Sequence, residues 1–333
     1  MSSTAGMTPT TAAAELGATS ERGGGAEVAV TEGRKERRRA ETRDAYLFLT
    51  PYLILFGVFV ILPFVYGLWI SLHDYDFSLP NKPFVGLDNF TGLVNGSSAY
   101  ADAFWLSMRA TGVFTVFSVP LLLVLPLAVA LAMNQRFKGR TVFRALYFAP
   151  YVLGVAVVAV LWRYLLDSNI GLINYYLGLV GLPSDTPWLT AIPWAWVSLI
   201  GVTVWWTLGF NTIIYLAALG EISPELYEAA RMDGTNAVQR FRYVTLPGLR
   251  PVLLFITSVT IIASVNMFGQ SFLMTQGGPG TETRTAIYQV SDTGLTNFNS
   301  GAATAMSLIF SFFLMIVSSI VFFLFRERDG GAS

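Results

Sequence analysis

The sequence predicts an all-α, polytopic membrane protein with six transmembrane helices, and three observations carry that prediction. Of 333 residues, 53% are hydrophobic and only 13% charged, far more apolar surface than one soluble core requires. Six segments reach the roughly 20 apolar residues needed to cross the ~30 Å hydrocarbon layer. The basic residues then fall almost entirely on one side of those segments. Lipid offers no hydrogen-bond partners, so each segment must satisfy its own backbone and is read as a helix.

Residues 1–43 are rich in Ala, Gly, Thr, Glu and Arg without apolar periodicity, and are expected to be a disordered basic cytoplasmic terminus. The first apolar run starts too late and is too long for a signal peptide, so it is read as a permanent span, Tyr46 to Ile70. Pro51 and Pro63 lie inside it and favour kinks. His73 to Leu93 is polar and turn-rich, hence an external loop. The second span, Ala110 to Met133, contains Pro120 and Pro126, with Arg109 at its start. The third, Ala145 to Trp162, begins near Pro150; at its outer end Arg163 and Asp167 sit four apart and can pair.

Gly171 to Leu189 is amphipathic and too short to cross, which fits an external helix at the interface. Trp188, Trp194 and Trp196 then belong at the headgroup boundary. The fourth and fifth spans are Ala191 to Leu219 and Pro251 to Met274. After T-Q-G-G-P-G and a Thr-rich stretch comes the sixth, Ala303 to Phe325, and a short tail over 329–333.

Orientation follows from Lys and Arg, which favour the cytoplasmic side. Arg22, Arg34, Lys35, Arg37, Arg38, Arg39 and Arg43 precede the first span; Arg136, Lys138, Arg140 and Arg144 join the second to the third. Arg231, Arg240, Arg242 and Arg250 join the fourth to the fifth, and Arg326 and Arg328 follow the sixth. Of the 21 basic residues only Lys82, Arg109, Arg163 and Arg284 remain for the other face. Both termini and the fourth-to-fifth connection are therefore expected in the cytoplasm.

Several function classes lose support. There is no cysteine for a disulfide or thiolate site, and the single histidine, His73, has no neighbouring ligand set, so no metal site is expected. Formal net charge is zero, which gives no sign of nucleic acid. No G-x-x-x-x-G-K-[ST] run occurs, so the chain is not itself an ATPase. The few intramembrane charges argue against a proton relay, hence against a secondary carrier.

The most informative stretch is the connection 221–250, where Glu228 to Pro247 reads E-A-A-R-M-D-G-T-N-A-V-Q-R-F-R-Y-V-T-L-P. Ser223 is suited to cap a helix that opens with Pro224 and Glu225 and ends at Gly234, whose backbone can reverse freely. Leu226, Tyr227 and Ala230 share one face, while Glu225, Glu228 and Arg231 point toward solvent or a partner. Alanines 229 and 230 keep the helix slim. Thr235 can start a second segment that Pro247 stops.

The spacing of E-A-A, Gly234 and the Val244-Thr245-Leu246-Pro247 run resembles the EAA loop of ABC importer permeases, with Val244 where that family usually has Ile. F-V-G-L-D-N-F (84–90) and T-Q-G-G-P (275–279) resemble segments of its sugar-permease branch, of the maltose and glycerol-phosphate type. The resemblance implies a type I importer fold over residues 44–328 and no catalytic residue. It implies a loop (Glu225, Leu226, Tyr227, Glu228, Ala229, Ala230, Arg231, Asp233, Gly234, Leu246, Pro247) that grips a separate ATPase, which holds ATP and Mg.

The implied partners are a second homologous permease chain, two ATPase subunits, an extracytoplasmic sugar-binding protein and membrane lipid, at the bacterial cytoplasmic membrane. For the solute, the fourth span offers Thr203, Trp205, Thr207, Phe210 and Asn211; the fifth offers Thr260, Ser264, Asn266, Met267 and Gln270. By the resemblance, Thr203, Trp205, Thr207, Phe210, Thr260, Ser264 and Met267 match sugar-contact positions of the maltose-type permease, with amides replaced by Ser264 and Met267. A permease for glycerol phosphate, phosphate or a peptide is the alternative, and small polar residues also glue membrane helices together.

Overall fold

The computed structural model describes residues 45–135 and 138–325. The expected disordered terminus 1–43, Arg136, and the tail with Arg326 and Arg328 lie outside the described residues. The chain divides after Gly67 into two units. The first holds most of helix α1 (Ala45–Ser71), apolar on every side as a bilayer helix must be. Pro63 cannot donate a helical hydrogen bond, and just before it the ladder slips by one residue, Leu62 N–H reaching Gly57 O in a π turn over Gly57–Ile61.

The second unit contains α2 (Asp88–Asn95), α3 (Ala101–Met133), α4 (Arg140–Val152), α5 (Val155–Leu165), α6 (Leu172–Leu179), α7 (Trp194–Glu221) and α8 (Pro224–Met232). It continues with α9 (Ala237–Gly248), α10 (Arg250–Val265), α11 (Ala286–Ser291) and α12 (Ser300–Phe325). Three single helices besides α10 carry the unit: α3, α7 and α12. The α3–α7 pair is its backbone, with α10 against α3 and α4 across α7.

Two spans differ from the sequence reading. The third is broken: α4 and α5 meet at 97° across Leu153 and Gly154. The fifth ends early, because α10 stops at Val265 and Asn266–Phe268 are non-helical before a π turn at Ser271–Thr275; upstream, α9 meets α10 at 71°. Each break is bracketed by residues that weaken a helix, Pro150 and Gly154 in one case, Asn266 and Gly269 in the other. The second span starts at Ala101 rather than Ala110, so Arg109 lies two turns inside α3. The added turns bury Phe104 and Ser107, with Phe104 packed beside Leu93, Ala305 and Met306.

Pro126 sits inside α3 and leaves the carbonyl of Leu122 without its helical donor. Asn211 of α7 supplies one, its Nδ2 lying 3.0 Å from Leu122 O. Apolar packing falls into three layers: Phe114, Leu122, Val158, Leu199 and Met267 in the middle; Ala130, Tyr215, Leu219, Leu249 and Ile256 toward α8; and the α2–α12 contact at the other end.

The connections away from α8 are held by side-chain bonds to backbone. Asn89 of F-V-G-L-D-N-F donates to Ser71 O (2.8 Å) and His73 O (3.0 Å), closing the turn that follows α1. Gly301 approaches the same place so closely that a Cβ there would lie 2.3 Å from His73 O. After T-Q-G-G-P, Thr283 is fully buried: its Oγ1 donates to Gly278 O (2.6 Å) and its carbonyl accepts from Ser271 Oγ (2.6 Å). Arg284 pairs with Asp292 at 3.0 Å and covers the Tyr288 ring.

Two further expectations are corrected. Arg163 donates to Leu273 O (3.4 Å) instead of pairing with Asp167. The Asp167 carboxylate takes the N–H groups of Asn169 and Ile170, which hold its pKa below the usual value, with the Arg163 charge a lesser cause. The external helix covers only Leu172–Leu179 of the predicted Gly171 to Leu189. Trp188 is half-buried against the middle layer, donating to Asn174 Oδ1 (2.7 Å); Trp196 packs on that layer too, and Trp194 is the more exposed of the three.

Candidate functional site

Two sites emerge, one inside the bundle and one on the loop between α7 and α10. The first is a cavity of about 380 Å³ where the two broken spans meet α3 and α7. Close backbone approach creates it. A Cβ on Gly209 of α7 would lie 2.2 Å from Tyr147 O, and one on Gly269 would lie 2.7 Å from a Val155 methyl. Glycine at both positions lets the broken third span press against its neighbours. The carbonyl opened by the break, Leu153 O, is taken by the Trp206 indole N–H at 2.9 Å, so the bend is hydrogen-bonded although it lies within a span.

Nine of the ten residues expected along a solute path line this cavity: Thr203, Thr207, Phe210, Asn211, Thr260, Ser264, Asn266, Met267 and Gln270. Trp205 does not; its neighbour Trp206 does, while Trp205 packs edge-on against Trp162 with ring centroids 5.3 Å apart. Consecutive helix residues point about 100° apart, so an offset of one position exchanges cavity for outer surface.

The sequence reading missed Tyr151, Trp206 and Phe268. Tyr151 reaches the cavity because α4 swings across α7, and it stacks on Phe210 (4.7 Å, 16°). The signal was present in Pro150 and Gly154 flanking it, since interrupted apolar segments mark sites in membrane carriers.

The polar groups are tied to the protein in a consistent sense. Thr203 donates to Leu199 O (2.7 Å), Thr207 to Thr203 O (2.8 Å), Asn211 to Leu122 O and Asn266 to Ile262 O (2.7 Å). Gln270 donates to Thr203 Oγ1 (3.3 Å), and Ser118 to Ser264 Oγ (3.3 Å). What remains to face a solute is a mixture of acceptor oxygens and donors, among them the second N–H of each amide. A larger groove of about 740 Å³ between α3 and α7 is lined by Val113, Phe117, Pro120, Ile200, Val204 and similar side chains. Walls of that kind suit lipid tails or another helix, because a hydroxylated solute would lose its hydrogen bonds there.

On the loop, α8 opens with Pro224 at its first position after Ser223, whose side chain makes no capping bond. It closes in a Schellman turn: Gly234, at φ +74°, donates to Arg231 O (3.0 Å) and Thr235 donates to Ala230 O (3.1 Å). The second segment is capped by Asn236 rather than Thr235, in a reciprocal box with Gln239 (2.9 and 2.8 Å). Pro247 does not stop it. The proline is again preceded by a π turn, Phe241–Thr245, as Pro63 is, and the helical path continues to Gly248.

No residue of α8 is buried. Glu225, Glu228, Ala229, Arg231, Asp233 and Gly234 are exposed, as are Leu246 and Pro247. Ala230 is half-buried, and Tyr227 is turned inward, its hydroxyl 3.0 Å from Thr245 Oγ1. Leu226 does not share that inward face: it is 56% exposed, with Met232 at 88%, Val238 at 73% and Tyr243 at 68%. The loop thus holds itself together through polar contacts and presents apolar side chains outward, the reverse of a free-standing amphipathic helix.

Comparison with known proteins identifies this architecture. Residues 92–328 match the family model described as binding-protein-dependent transport system inner membrane component. The chain is 34% identical over 295 residues to a probable ABC transporter permease, y4oQ, of Sinorhizobium fredii, covering 88% of this chain and 93% of that one. It is 35% identical over 282 residues to the trehalose/maltose transport system permease MalF of Thermococcus litoralis, covering 85% and 93%. In fold it is similar to the crystal structure of a bacterial ABC transporter involved in alginate import, at TM-score 0.76 and 24% identity over 89% of this chain and 99% of that one. The chain belongs to the inner-membrane permease family of binding-protein-dependent ABC importers, in its sugar-type branch, and is a multi-pass translocation subunit rather than an enzyme.

Proposed function

We propose that this permease carries a carbohydrate across the bacterial cytoplasmic membrane, with both termini inside, as one half of a translocation path completed by a second homologous chain. The cavity bounded by α3, α7, α10 and the third-span break is its solute site. An extracytoplasmic binding protein delivers the sugar, and two ATPase subunits, holding ATP and Mg, grip the α8–α9 loops. The observation that carries this reading is the pairing of an inward cavity of hydroxyls, amides and aromatic rings with an unburied loop helix whose apolar side chains lack a covering.

Motion follows from the places where the fold bends. Closure of the ATPase pair displaces α8; the 71° junction between α9 and α10, packed on the buried Leu249, transmits that displacement to the span bearing Thr260, Ser264 and Asn266. For ATP to drive the change, the ATPase must bind the two permease conformations with different affinity. Assembly tests the proposal. Co-expression with the adjacent transporter components should recover a complex of two permease chains and two ATPases, whose ATP turnover rises when sugar-loaded binding protein is added. A chain that purifies without an ATPase, or a complex indifferent to every sugar, contradicts it.

A further inference from the structure

The cavity's chemistry narrows the solute, on the reading that the cavity is the solute site. None of its eighteen lining residues is Asp, Glu, Lys, Arg or His. A phosphate or carboxylate there would lose hydration worth several kcal/mol with no countercharge from this chain. The polar groups of the lining are neutral hydroxyls and amides, so they supply no countercharge either. Thr203, Thr207, Asn211 and Asn266 each commit one proton to a backbone carbonyl; their oxygens can accept, and each amide keeps a second N–H that can donate. Such a lining of neutral donors and acceptors matches hydroxyl groups, which both give and take hydrogen bonds.

The remaining wall is aromatic. Tyr151 lies parallel to Phe210 at 4.7 Å, with Trp206 tilted beside it at 6.3 Å. Trp206 is pinned by its bond to Leu153 O. Tyr151 stands two residues before the 97° bend at Leu153–Gly154. We propose that the solute is an uncharged sugar and that Tyr151 is a specificity-determining residue, laying its ring on the apolar face of one sugar ring. The chemistry of that contact is general: C–H groups on one face of a pyranose need an apolar partner, while its hydroxyl edge meets the neutral polar wall.

The test uses the assembled importer with its binding protein in proteoliposomes. Uptake is measured for neutral sugars (glucose, maltose, trehalose) and for anionic ones (glucuronate, glucose 6-phosphate, glycerol 3-phosphate). Only neutral sugars should be transported. Tyr151→Ala and Tyr151→Leu should raise the half-saturating concentration about two- to tenfold, the worth of one ring contact, more than they lower the maximal rate, and Tyr151→Phe should restore it. Transport of any anionic probe, or of no probe, overturns the assignment of an uncharged sugar. An unchanged half-saturating concentration in Tyr151→Leu, with an increase in Asn266→Leu, removes Tyr151 and leaves the cavity in place. Unchanged values in both remove the cavity as solute site, and the functional reading with it.

Discussion

The α8–α9 loop and the cavity are built on opposite plans. The loop is one continuous stretch whose contacts are local: the Schellman turn at Gly234, the Asn236–Gln239 box, the Tyr227–Thr245 bond. Its outward surface carries uncovered apolar side chains, Leu226, Met232, Val238 and Tyr243, among exposed charged ones. The cavity draws on four separated stretches, and Thr203, Thr207, Asn211 and Asn266 among its polar groups each already donate to neighbouring backbone. On the proposed reading, the loop keeps its shape by its own contacts and leaves its outward groups free for a partner, whereas the cavity shares hydrogen bonds such as Asn211 to Leu122 O between the helices that form it.

Substitutions can break that contrast or sharpen it. The largest effect belongs to Glu228→Lys, an exposed change that reverses charge on the gripping face; uptake should fall about 30-fold or more, as for an interface hot spot, while thermal unfolding stays put. A fall in unfolding temperature instead would make the loop a structural element. Next comes Gly209→Ala, whose new methyl meets backbone at Tyr147; a cost of about 3 kcal/mol in detergent unfolding is expected, with no single rescue.

Gly269→Ala should cost less and be restored by Val155→Ala, because there the obstacle is a side chain. Asn211→Ala orphans Leu122 O and should lose about 1–2 kcal/mol, a loss that disappears in a Pro126→Ala background where the helix supplies its own donor. Equal losses in both backgrounds would mean that Asn211 acts by packing. The smallest is Tyr227→Phe, about 1 kcal/mol for one hydrogen bond, read as faster proteolysis of the loop.

The same contrast explains what was legible in the sequence. Spans and turns depend on residues close in the chain, so α8, its Pro224 start and its Gly234 end were readable. Ser223, by contrast, makes no capping bond, the second cap moved from Thr235 to Asn236, Leu226 turned outward, and Pro247 did not end the helix. The cavity depends on which face of α7 turns inward and on a crossing of α4 over α7. The first put Trp205 in place of Trp206 by one position. The second hid Tyr151, because a kink expected near Pro150 does not by itself give the 97° bend that brings Tyr151 onto Phe210. Pro150, Gly154, Asn266 and Gly269 mark where the two spans break, but not the 97° bend of the third, against which Gly209 and Gly269 allow close neighbours.

The central claim is that the α8 loop is a cytoplasmic handle for a separate ATPase. The chain has no cysteine, so Met232→Cys, at the most exposed apolar position of α8, gives a single reporter for a membrane-impermeant thiol reagent. The account predicts labelling in inverted vesicles, none in intact cells, and protection when the ATPase subunits are bound. Labelling from outside intact cells, or labelling inside that the bound ATPase leaves unaltered, would contradict it.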